Sequence, residues 1–401
     1  MKPIVILAHV PSEPVTRGFV PAARRLGFPV VLLTDRLEEQ QETFARVSAA
    51  EAPESIIACD VFNPLSVLEA TFRLGERPAA LFSNSDHLQT STALAAEYHG
   101  LPGKDWKVAC RAKNKAELRR WLRARGVERV WHAAVSDEAG LERLGDSVPL
   151  PCIVKPAEGV ASEQVRLART REEVVAGCRD IWRARPGQGV VLEEYLEGPL
   201  VTLETLGDGE RLQVLGGFRT CLSPPPYFIE SEAWWGAGLS SQQQEEMLAV
   251  LRAAGVGFGA CHTEFVLTEQ GPRIIEINYR TVGDYREFLM DEALGIRLFE
   301  RVLKLHLGAA LEVMEPPAVA AGIRYFCAER SGVVGRAPAA FRRTEDGLTL
   351  TFTPTRAEGT TLRLSNSNRD YLGVLRGFGG TEEALARAFA RAEEELRWEL
   401  T

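Results

Sequence analysis

Short, continuous apolar runs alternate with helical stretches over the first hundred residues, and this alternation constrains the fold more than any other feature. Strands buried on both faces of a parallel sheet have continuous apolar runs, and helices connect them. The pattern therefore predicts a parallel α/β layer. The turn after the first run, His9-Val10-Pro11-Ser12-Glu13-Pro14, lacks the G-x-G-x-x-G of a dinucleotide site. The strands and helices are expected, in order, at residues 4–8, 22–26, 30–34, 55–58, 65–74 and 79–83.

The composition excludes several classes of protein. The 401 residues are 45% apolar, which suits two to four folded domains. Forty-seven basic against 55 acidic side chains give a net charge of −8, which disfavours nucleic acid as a partner. No apolar run approaches the ~20 residues of a membrane helix, and no secretory signal is recognisable, so a cytoplasmic location is expected. The seven cysteines are scattered without a Cys-x-x-Cys pair, which predicts reduced packing residues.

The rest of the chain has the pattern of mixed α+β lobes. Gly126 is expected to end a helix that carries Leu118, Trp121 and Leu122 on one face. Capping boxes are predicted at Thr170–Glu173 and at Ser241–Gln244, the second opening a helix that ends at Gly255. After residue 317, short strands precede a last helix. Its apolar stripe is predicted to consist of Leu385, Phe389, Ala392 and Leu396.

The stretch from Cys261 to Arg280 is the most informative for function. Two β-rich runs flank 268–272, which predicts a hairpin. With the turn centred on Gln270, Glu264 lies opposite Glu276 and His262 opposite Asn278. Ile275 and Ile277 would then face a core, since side chains alternate along a strand. Facing carboxylates repel each other by up to ~1 kcal/mol, so a cation is expected between them.

Magnesium, or manganese, fits this hairpin. Mg²⁺ accepts carboxylate and amide oxygens and usually shares its coordination with substrate phosphates. Two carboxylates alone would favour a solvated hairpin face. The in-phase Asn278, followed by Arg280, favours the metal site.

A metal on carboxylates implies a phosphate ligand, and three further segments could hold a nucleotide. Lys155 ends an apolar strand and precedes the small-residue loop 157–162, where ammonium and backbone N–H groups could meet phosphate. Lys115 opens the helix described above. The strand 190–198 could pair its backbone with an adenine edge. Each signal taken alone is also compatible with an ordinary surface lysine, turn or strand end.

The substrate side of the site is less determined. His262 could orient a phosphate or shuttle a proton, although a buried structural histidine is the commoner case. Glu230, in the Pro-rich segment 223–238, would suit an ammonium group. The aromatic residues of this segment could pack against substrate, namely Tyr227, Phe228, Trp234 and Trp235. Trp234 and Trp235 could equally anchor the loop without touching a ligand.

Taken in chain order, these segments resemble the ATP-grasp superfamily. The resemblance covers about residues 80–315 and rests on Lys115, Ile153-Val-Lys-Pro156, Leu192-Glu-Glu-Tyr-Leu-x-Gly198 and Ile275-Glu-Ile-Asn-x-Arg280. It implies an ATP-grasp fold of α/β and α+β parts with a two-lobed nucleotide cleft. The implied domains are a pre-ATP α/β domain at 1–105, an ATP-grasp domain at 106–315 with a mobile lid at about 130–195, and a C-terminal α+β subdomain at 316–401.

The resemblance also implies site residues. Relatives often carry a ribose-binding Glu two residues after the Gly of the strand motif; Leu200 stands there, so Glu204 is expected to substitute. Arg280 would stabilise the transferring phosphoryl group, with His262 as a second catalytic candidate. ATP would contact Lys115, Lys155, Ser162, Glu193, Glu194, Leu196 and Glu204. The metal ion would be bound by Glu264, Glu276 and Asn278. The substrate would contact Tyr227, Glu230, Arg280 and Gly283.

The implied activity is an ATP-dependent carboxylate–amine ligase that works through an acyl-phosphate on amino-acid-like substrates, in peptide or siderophore pathways of secondary metabolism. Its partners would be the small-molecule carboxylate and amine, without nucleic acid or membrane, and a homodimer stays open. One alternative is a purine-pathway ligase or a biotin-type carboxylase of the same fold. The other is a regulatory protein that binds ATP without turnover.

Overall fold

The computed structural model describes all residues, Met1–Thr401, and its N-terminal part is the expected parallel layer. The sheet order is β3-β2-β1-β4 with every pair parallel, so the predicted apolar runs are confirmed as strands. The order reverses between β1 and β4, which opens a crevice at the carboxyl ends of these strands. The elements are β1 (Ile4–Leu7), α1 (Val20–Arg25), β2 (Val30–Thr34), α2 (Leu37–Phe44), β3 (Ser55–Ala58), α3 (Pro64–Phe72), β4 (Ala80–Phe82) and α4 (Gln89–Tyr98).

A small antiparallel sheet of order β5-β8-β6-β7 follows, covered by α8. Gly126, at φ +71°, lies just beyond the end of α6 as predicted. Thr170 caps α8 by accepting a hydrogen bond from the Glu173 N–H, whereas the Glu173 carboxylate accepts from Arg169 instead of completing the box at Thr170. The elements are α5 (Trp106–Lys113), α6 (Lys115–Ala124), β5 (His132–Val135), α7 (Glu138–Leu144), β6 (Cys152–Pro156), β7 (Arg166–Ala168), α8 (Arg171–Ala184) and β8 (Val190–Glu194).

The central segment contributes six strands to a larger antiparallel sheet and also contains three helices. The capping box of α9 is Ser240–Gln243, one residue earlier than predicted, because Ser240 is the last residue with extended backbone. Gly255 ends this helix with φ +90°, as expected. The elements are β9 (Leu200–Asp208), β10 (Leu212–Gly216), β11 (Phe218–Leu222), β12 (Glu230–Trp235), α9 (Ser241–Ala254), β13 (Phe258–Thr268), β14 (Gly271–Asn278), α10 (Arg286–Leu294) and α11 (Leu298–His306).

The C-terminal segment continues the same sheet. Its order is β14-β13-β9-β11-β12-β15-β20-β18-β17, with β10 paired to β9, while β19, β16 and β21 form a separate small sheet. The stripe of α12 is buried in one cluster as predicted. The domain boundaries at 105/106 and 315/316 remain predictions. The elements are β15 (Ala321–Cys327), β16 (Gly332–Arg336), β17 (Phe341–Glu345), β18 (Leu348–Pro354), β19 (Thr361–Leu362), β20 (Tyr371–Phe378), α12 (Glu382–Glu395) and β21 (Glu399–Leu400).

Three further expectations can be compared with the structure. All seven cysteines are free thiols; Cys152, Cys178 and Cys261 are buried as packing residues, whereas Cys110 and Cys221 are exposed, so the prediction of a packing role was wrong for those two. None of the helices combines the length and the apolar character that crossing a bilayer requires. Trp234 and Trp235 lie in β12, where their rings pack against Phe389 and Phe218 at centroid distances of 5.5 and 5.1 Å. These tryptophans are therefore packing residues of the sheet, and they line neither of the two cavities beside Glu264.

Candidate functional site

The hairpin of β13 and β14 has the predicted pairing at its functional end. Glu264 faces Glu276, and His262 faces Asn278. The turn itself is one residue tighter than expected, because Thr268 pairs with Gly271. A bulge between the Glu264–Glu276 and Phe265–Ile274 pairs absorbs Ile275 and restores the register.

The bulge changes where one side chain points. Ile277 is buried in the core, as predicted, together with Ile274. Ile275 was expected beside Ile277 but instead lines a cavity, because the extra residue reverses the alternation of faces. The prediction for Ile275 was therefore wrong, and this side chain belongs to the site.

This first cavity lies between the small sheet of β5–β8 and the central sheet. Its lining combines apolar side chains with two lysines and six glutamates, and such a mixture is typical of a ligand pocket. Six residues predicted to contact a nucleotide line it: Lys115, Lys155, Ser162, Glu193, Glu194 and Leu196. Apolar contacts come from both sheets, through Ile153, Val165, Leu200, Leu222, Phe228, Val266 and Ile275.

A buried cluster of charges holds Lys155 in this wall. Lys155 Nζ lies 2.7 Å from Glu193 Oε2, and Arg119 binds both oxygens of the same carboxylate, Nε at 2.9 Å and Nη2 at 3.0 Å. Burial alone would raise the pKa of Glu193, but Arg119 and Lys155 lower it to about 2. The Glu193 carboxylate is thus engaged by two cations, and what it contributes directly is the position of Lys155.

Lys115 compensates one carboxylate of the hairpin. Its Nζ lies 2.8 Å from Glu276 Oε2 and donates to the Gly159 carbonyl at 3.2 Å. Burial opposes ionisation of Glu276, but Lys115 lowers its pKa to about 2. The positive charge expected beside the paired glutamates is therefore supplied, on this side, by a lysine.

His262 compensates the other carboxylate. Its Nδ1 lies 2.7 Å from Glu204 Oε1 and its Nε2 3.2 Å from Glu264 Oε1. Burial disfavours the charged imidazole, but the two carboxylates raise the pKa of His262 to about 10. Glu204 does not line this first cavity, because its carboxylate is turned to His262 and Thr202. The structure does not bring Glu204 to the place expected for a ribose contact.

The three predicted metal ligands lie together and fit the ion. Glu264 and Glu276 line the first cavity and also a neighbouring second cavity, which Asn278 lines as well. Asn278 Nδ2 donates to Glu276 Oε1 at 2.8 Å, which leaves Asn278 Oδ1 without a partner in the protein. Two carboxylates and one amide oxygen are the hard donors that Mg²⁺ takes together with phosphate and water. No group of three or more His, Cys, Asp or Glu side chains is arranged to hold a metal by itself.

A second cavity adjoins the first, in the crevice where the order of the N-terminal strands reverses. The two cavities share Glu230, Glu264, Glu276 and the loop 160–162, so they meet at the predicted metal ligands. Ligands of open α/β sheets bind in such crevices. The residues that follow β1 and β4 line this cavity, as do segments 278–286 and 368–369.

Arg280 and Gly283, both predicted site residues, line the second cavity. Arg280 Nε donates to Asp86 Oδ2 at 2.8 Å, which fixes the guanidinium against the N-terminal layer. Glu230 lines both cavities, but Arg286 pairs with its carboxylate. The expectation that this carboxylate is free to bind an ammonium group was therefore wrong. Tyr227 lines neither cavity; it lies in the loop before β12.

The loop 157–163 lies over the junction of the cavities. Ala161 and Ser162 have positive φ, +59° and +54°, a conformation that costs non-glycine residues free energy and clusters at functional sites. The Asn368 N–H donates to the Ala161 carbonyl at 3.1 Å, and Glu163 lies 2.6 Å from Arg185 and 3.4 Å from Arg369. The C-terminal segment therefore holds this loop over the site.

Several residues of the site were not predicted. Arg119 lies 74 positions from Glu193 in sequence, and no local pattern indicates that pair. Arg286 and Asn368 enter from elements whose packing the sequence does not specify. His9 and Asp86 could have been found, because each follows a predicted parallel strand, whose carboxyl end is where ligands bind.

Part of the chain matches a known domain family, and longer stretches are similar in sequence to known proteins. Residues 112–284 match the ATP-grasp domain family. The chain is 28% identical over 331 residues to the uncharacterized protein y4rH of Sinorhizobium fredii (strain NBRC 101917 / NGR234), covering 79% of this chain and 66% of that protein. It is 30% identical over 243 residues to carnosine synthase 1 of Mus musculus, covering 54% of this chain and 29% of that protein. The chain thus spans less than two thirds of these relatives.

Solved structures agree on the fold. The L-amino acid ligase from Bacillus licheniformis superimposes over 100% of both chains with a TM-score of 0.81 at 20% identity. The biotin carboxylase domain of 2-oxoglutarate carboxylase from Hydrogenobacter thermophilus, solved with MgADP, has a TM-score of 0.71 at 18% identity and covers 99% of this chain and 90% of that one. The expected fold class is confirmed.

Proposed function

This chain contains an ATP-grasp domain, and from that premise we propose that it is an ADP-forming ligase joining a carboxylate to an amine. The observation that carries the proposal is the junction of the two cavities at Glu264 and Glu276. One cavity combines apolar side chains with two lysines and six glutamates, and it suits a nucleotide. The other is polar and lies at strand ends, where a small substrate would meet the terminal phosphate.

The first half-reaction would transfer the γ-phosphoryl group to the substrate carboxylate. A carboxylate resists attack by an amine, whereas an acyl-phosphate has a good leaving group. Transfer of this kind depends on positioning and on stabilising charge at the equatorial oxygens. Lys115 and Lys155, which line the first cavity, and Arg280, which lines the second, are the cations we assign to this role.

Magnesium would be held by Glu264, Glu276 and Asn278, and when bound it would neutralise charge on the phosphates. Lys115 lies on Glu276 and His262 on Glu264, so the carboxylates are already held in place by cations. The loop 157–163 would keep water from the acyl-phosphate, because it is fastened to the C-terminal segment across the junction.

The second half-reaction would form the amide. The amine nitrogen attacks the acyl carbon, the C–N bond forms, and the C–O bond to phosphate breaks. Amino-acid-like substrates are proposed on two grounds: the fold resemblance to an L-amino acid ligase and the sequence similarity to carnosine synthase 1. A place in peptide or siderophore biosynthesis and a cytoplasmic location belong to the same proposal, and a homodimer stays open.

The test is ADP release with the twenty standard amino acids offered as carboxylates and as amines, with Mg²⁺ and ATP present. Glu276→Gln should lower turnover at least about 100-fold, because it removes a phosphate-site carboxylate and the partner of Lys115. Glu246→Gln, on the exposed side of α9, is the matched control and should leave turnover unchanged. Unchanged turnover in Glu276→Gln would exclude the proposed site.

Two alternatives make different predictions in the same assay. A carboxylase of this fold would release ADP with bicarbonate and no amine. A regulatory protein would bind ATP tightly and release no ADP with any substrate.

A further inference from the structure

Three histidines, His9, His87 and His262, line the second cavity, and the hydrogen-bond partners of their ring nitrogens differ. His262 has both nitrogens engaged, Nδ1 by Glu204 and Nε2 by Glu264. His87 Nδ1 lies 2.7 Å from Lys113 Nζ. An ammonium can only donate, so His87 Nδ1 accepts and its proton sits on Nε2. Neither ring can take a proton from a substrate without losing its present partner.

His9 is arranged the opposite way. Its Nδ1 lies 2.8 Å from Asp35 Oδ1 and 2.9 Å from Oδ2. A carboxylate can only accept, so Nδ1 carries a proton, and in the neutral ring the lone pair is on Nε2. His9 Nε2 makes no hydrogen bond within the protein, and the ring lines the cavity.

The position of His9 is fixed by several contacts. Its backbone carbonyl accepts hydrogen bonds from Thr34 Oγ1 at 3.2 Å and from the fully buried Gln40 Nε2 at 3.0 Å. The Phe62 ring packs edge-on against the imidazole with centroids 5.1 Å apart. His9 lies two residues after the end of β1, and Asp35 directly follows β2. A histidine oriented by a carboxylate and held on a rigid sheet edge is the arrangement of a general base.

We propose that His9, oriented by Asp35, is the base that deprotonates the amine substrate. This inference rests on the proposed ligase function and names a catalytic residue for its second half-reaction. A substrate ammonium gives a proton to His9 Nε2, and the imidazolium faces Asp35. The neutral amine attacks the acyl-phosphate, forming the C–N bond as the C–O bond breaks. The second nitrogen proton leaves on phosphate, giving HPO₄²⁻, and His9 returns its proton to solvent.

The site therefore takes an amine that is protonated in solution. Primary amines of amino acids are mostly ammonium ions at neutral pH and need such a base. Hydroxylamine is mostly unprotonated at neutral pH and does not. The charged and titratable groups around His9 are Asp35 and Arg36 after β2, His87 after β4, and Lys113 on α5 beyond His87.

The experiment compares two acceptors for one activated carboxylate. Wild type and His9→Asn are assayed with ATP, Mg²⁺, the best carboxylate of the amino-acid panel, and either hydroxylamine or the best amino-acid amine. His9→Asn should form hydroxamate at close to the wild-type rate, and its amide formation should fall about 100-fold or more. Raising the pH should restore part of the amide rate, because the free amine becomes available from solution.

Three variants accompany the test. Asp35→Asn should lower amide formation selectively as well, since it removes the group that fixes the tautomer. His87→Asn should leave the ratio of amide to hydroxamate unchanged. His99→Asn, which lies outside both cavities, controls for the folding of the N-terminal layer, monitored by thermal unfolding of every variant.

Each other outcome overturns the inference. Equal loss of both products in His9→Asn would assign His9 to structure or to carboxylate binding, and loss of neither would remove it from catalysis. Hydroxamate without amide in the wild type would show that the site does not accept an ammonium substrate. A wild type that forms neither product would refute the ligase function itself, which separates the two failures.

Discussion

The buried carboxylate of Glu193 gives the sharpest prediction from the structure. Glu193→Gln removes the negative charge shared by Arg119 and Lys155, which are 2% and 4% exposed. A buried cation left without its partner typically costs about 3–5 kcal/mol. The pKa gives a second estimate: a fall from 4.5 to about 2 is worth roughly 3 kcal/mol at ~1.4 kcal/mol per unit. Arg119 keeps Glu128 at 3.3 Å, so the lower figure is expected.

The assay is hydrogen–deuterium exchange of the amides in β6 and β8. A loss of about 3 kcal/mol in local stability should speed their exchange roughly 100-fold. Glu138→Gln is the matched control, since it breaks an ion pair with Arg179 in the same lobe. Both members of that pair are about half exposed, so solvent screening should leave the effect small.

The pH dependence follows from the direction of the shift. A carboxylate with a lowered folded pKa stabilises the folded state above the unfolded pKa. That stability is lost as the pH falls toward the folded pKa. The difference in protection between wild type and Glu193→Gln should therefore be full at pH 6 and shrink between pH 4.5 and about 2. Equal protection of the two proteins at pH 6 would refute the charge cluster as the support of Lys155.

Other changes test the remaining parts of the site. Ile275→Ala should raise the KM for ATP about tenfold with kcat unchanged, because it removes apolar contact made equally in the ground and transition states. An unchanged KM would mean that the Ile275 side chain does not contact ATP. Asn278→Ala should raise the half-saturating Mg²⁺ concentration about 10-fold or more in steady-state assays, and an unchanged requirement would exclude Asn278 as a ligand. Arg369→Ala should raise the ratio of ADP to amide, because Arg369 helps hold Glu163 in the covering loop; an unchanged ratio would mean that the loop closes without this contact.

The sequence was most informative where local rules apply. The four parallel strands followed from continuous apolar runs, and the end of α9 followed from Gly255. The pairing of Glu264 with Glu276 followed from the turn and the alternation of faces. Ile275 escaped prediction because a bulge has no fixed signature in an apolar strand.

Long-range contacts were the part that the sequence could not provide. Glu204 lies opposite His262 because β9 pairs with β13, and strand pairing over 58 positions is not encoded locally. For the same reason, Arg286 could not be foreseen as the partner that occupies Glu230. The second cavity is an intermediate case, since the reversal of strand order locates it once the four strands are recognised.

In the proposed site, the paired glutamates bind the metal and the terminal phosphate where the two cavities meet. The most direct measurement is a crystal structure of the protein with Mg²⁺ and a non-hydrolysable ATP analogue. We expect the base against Ile275 and Leu196, the metal on Glu264, Glu276 and Asn278, and the γ-phosphate facing Arg280. A nucleotide bound elsewhere, or no metal on these three residues, would show that the paired glutamates are not the metal and phosphate site.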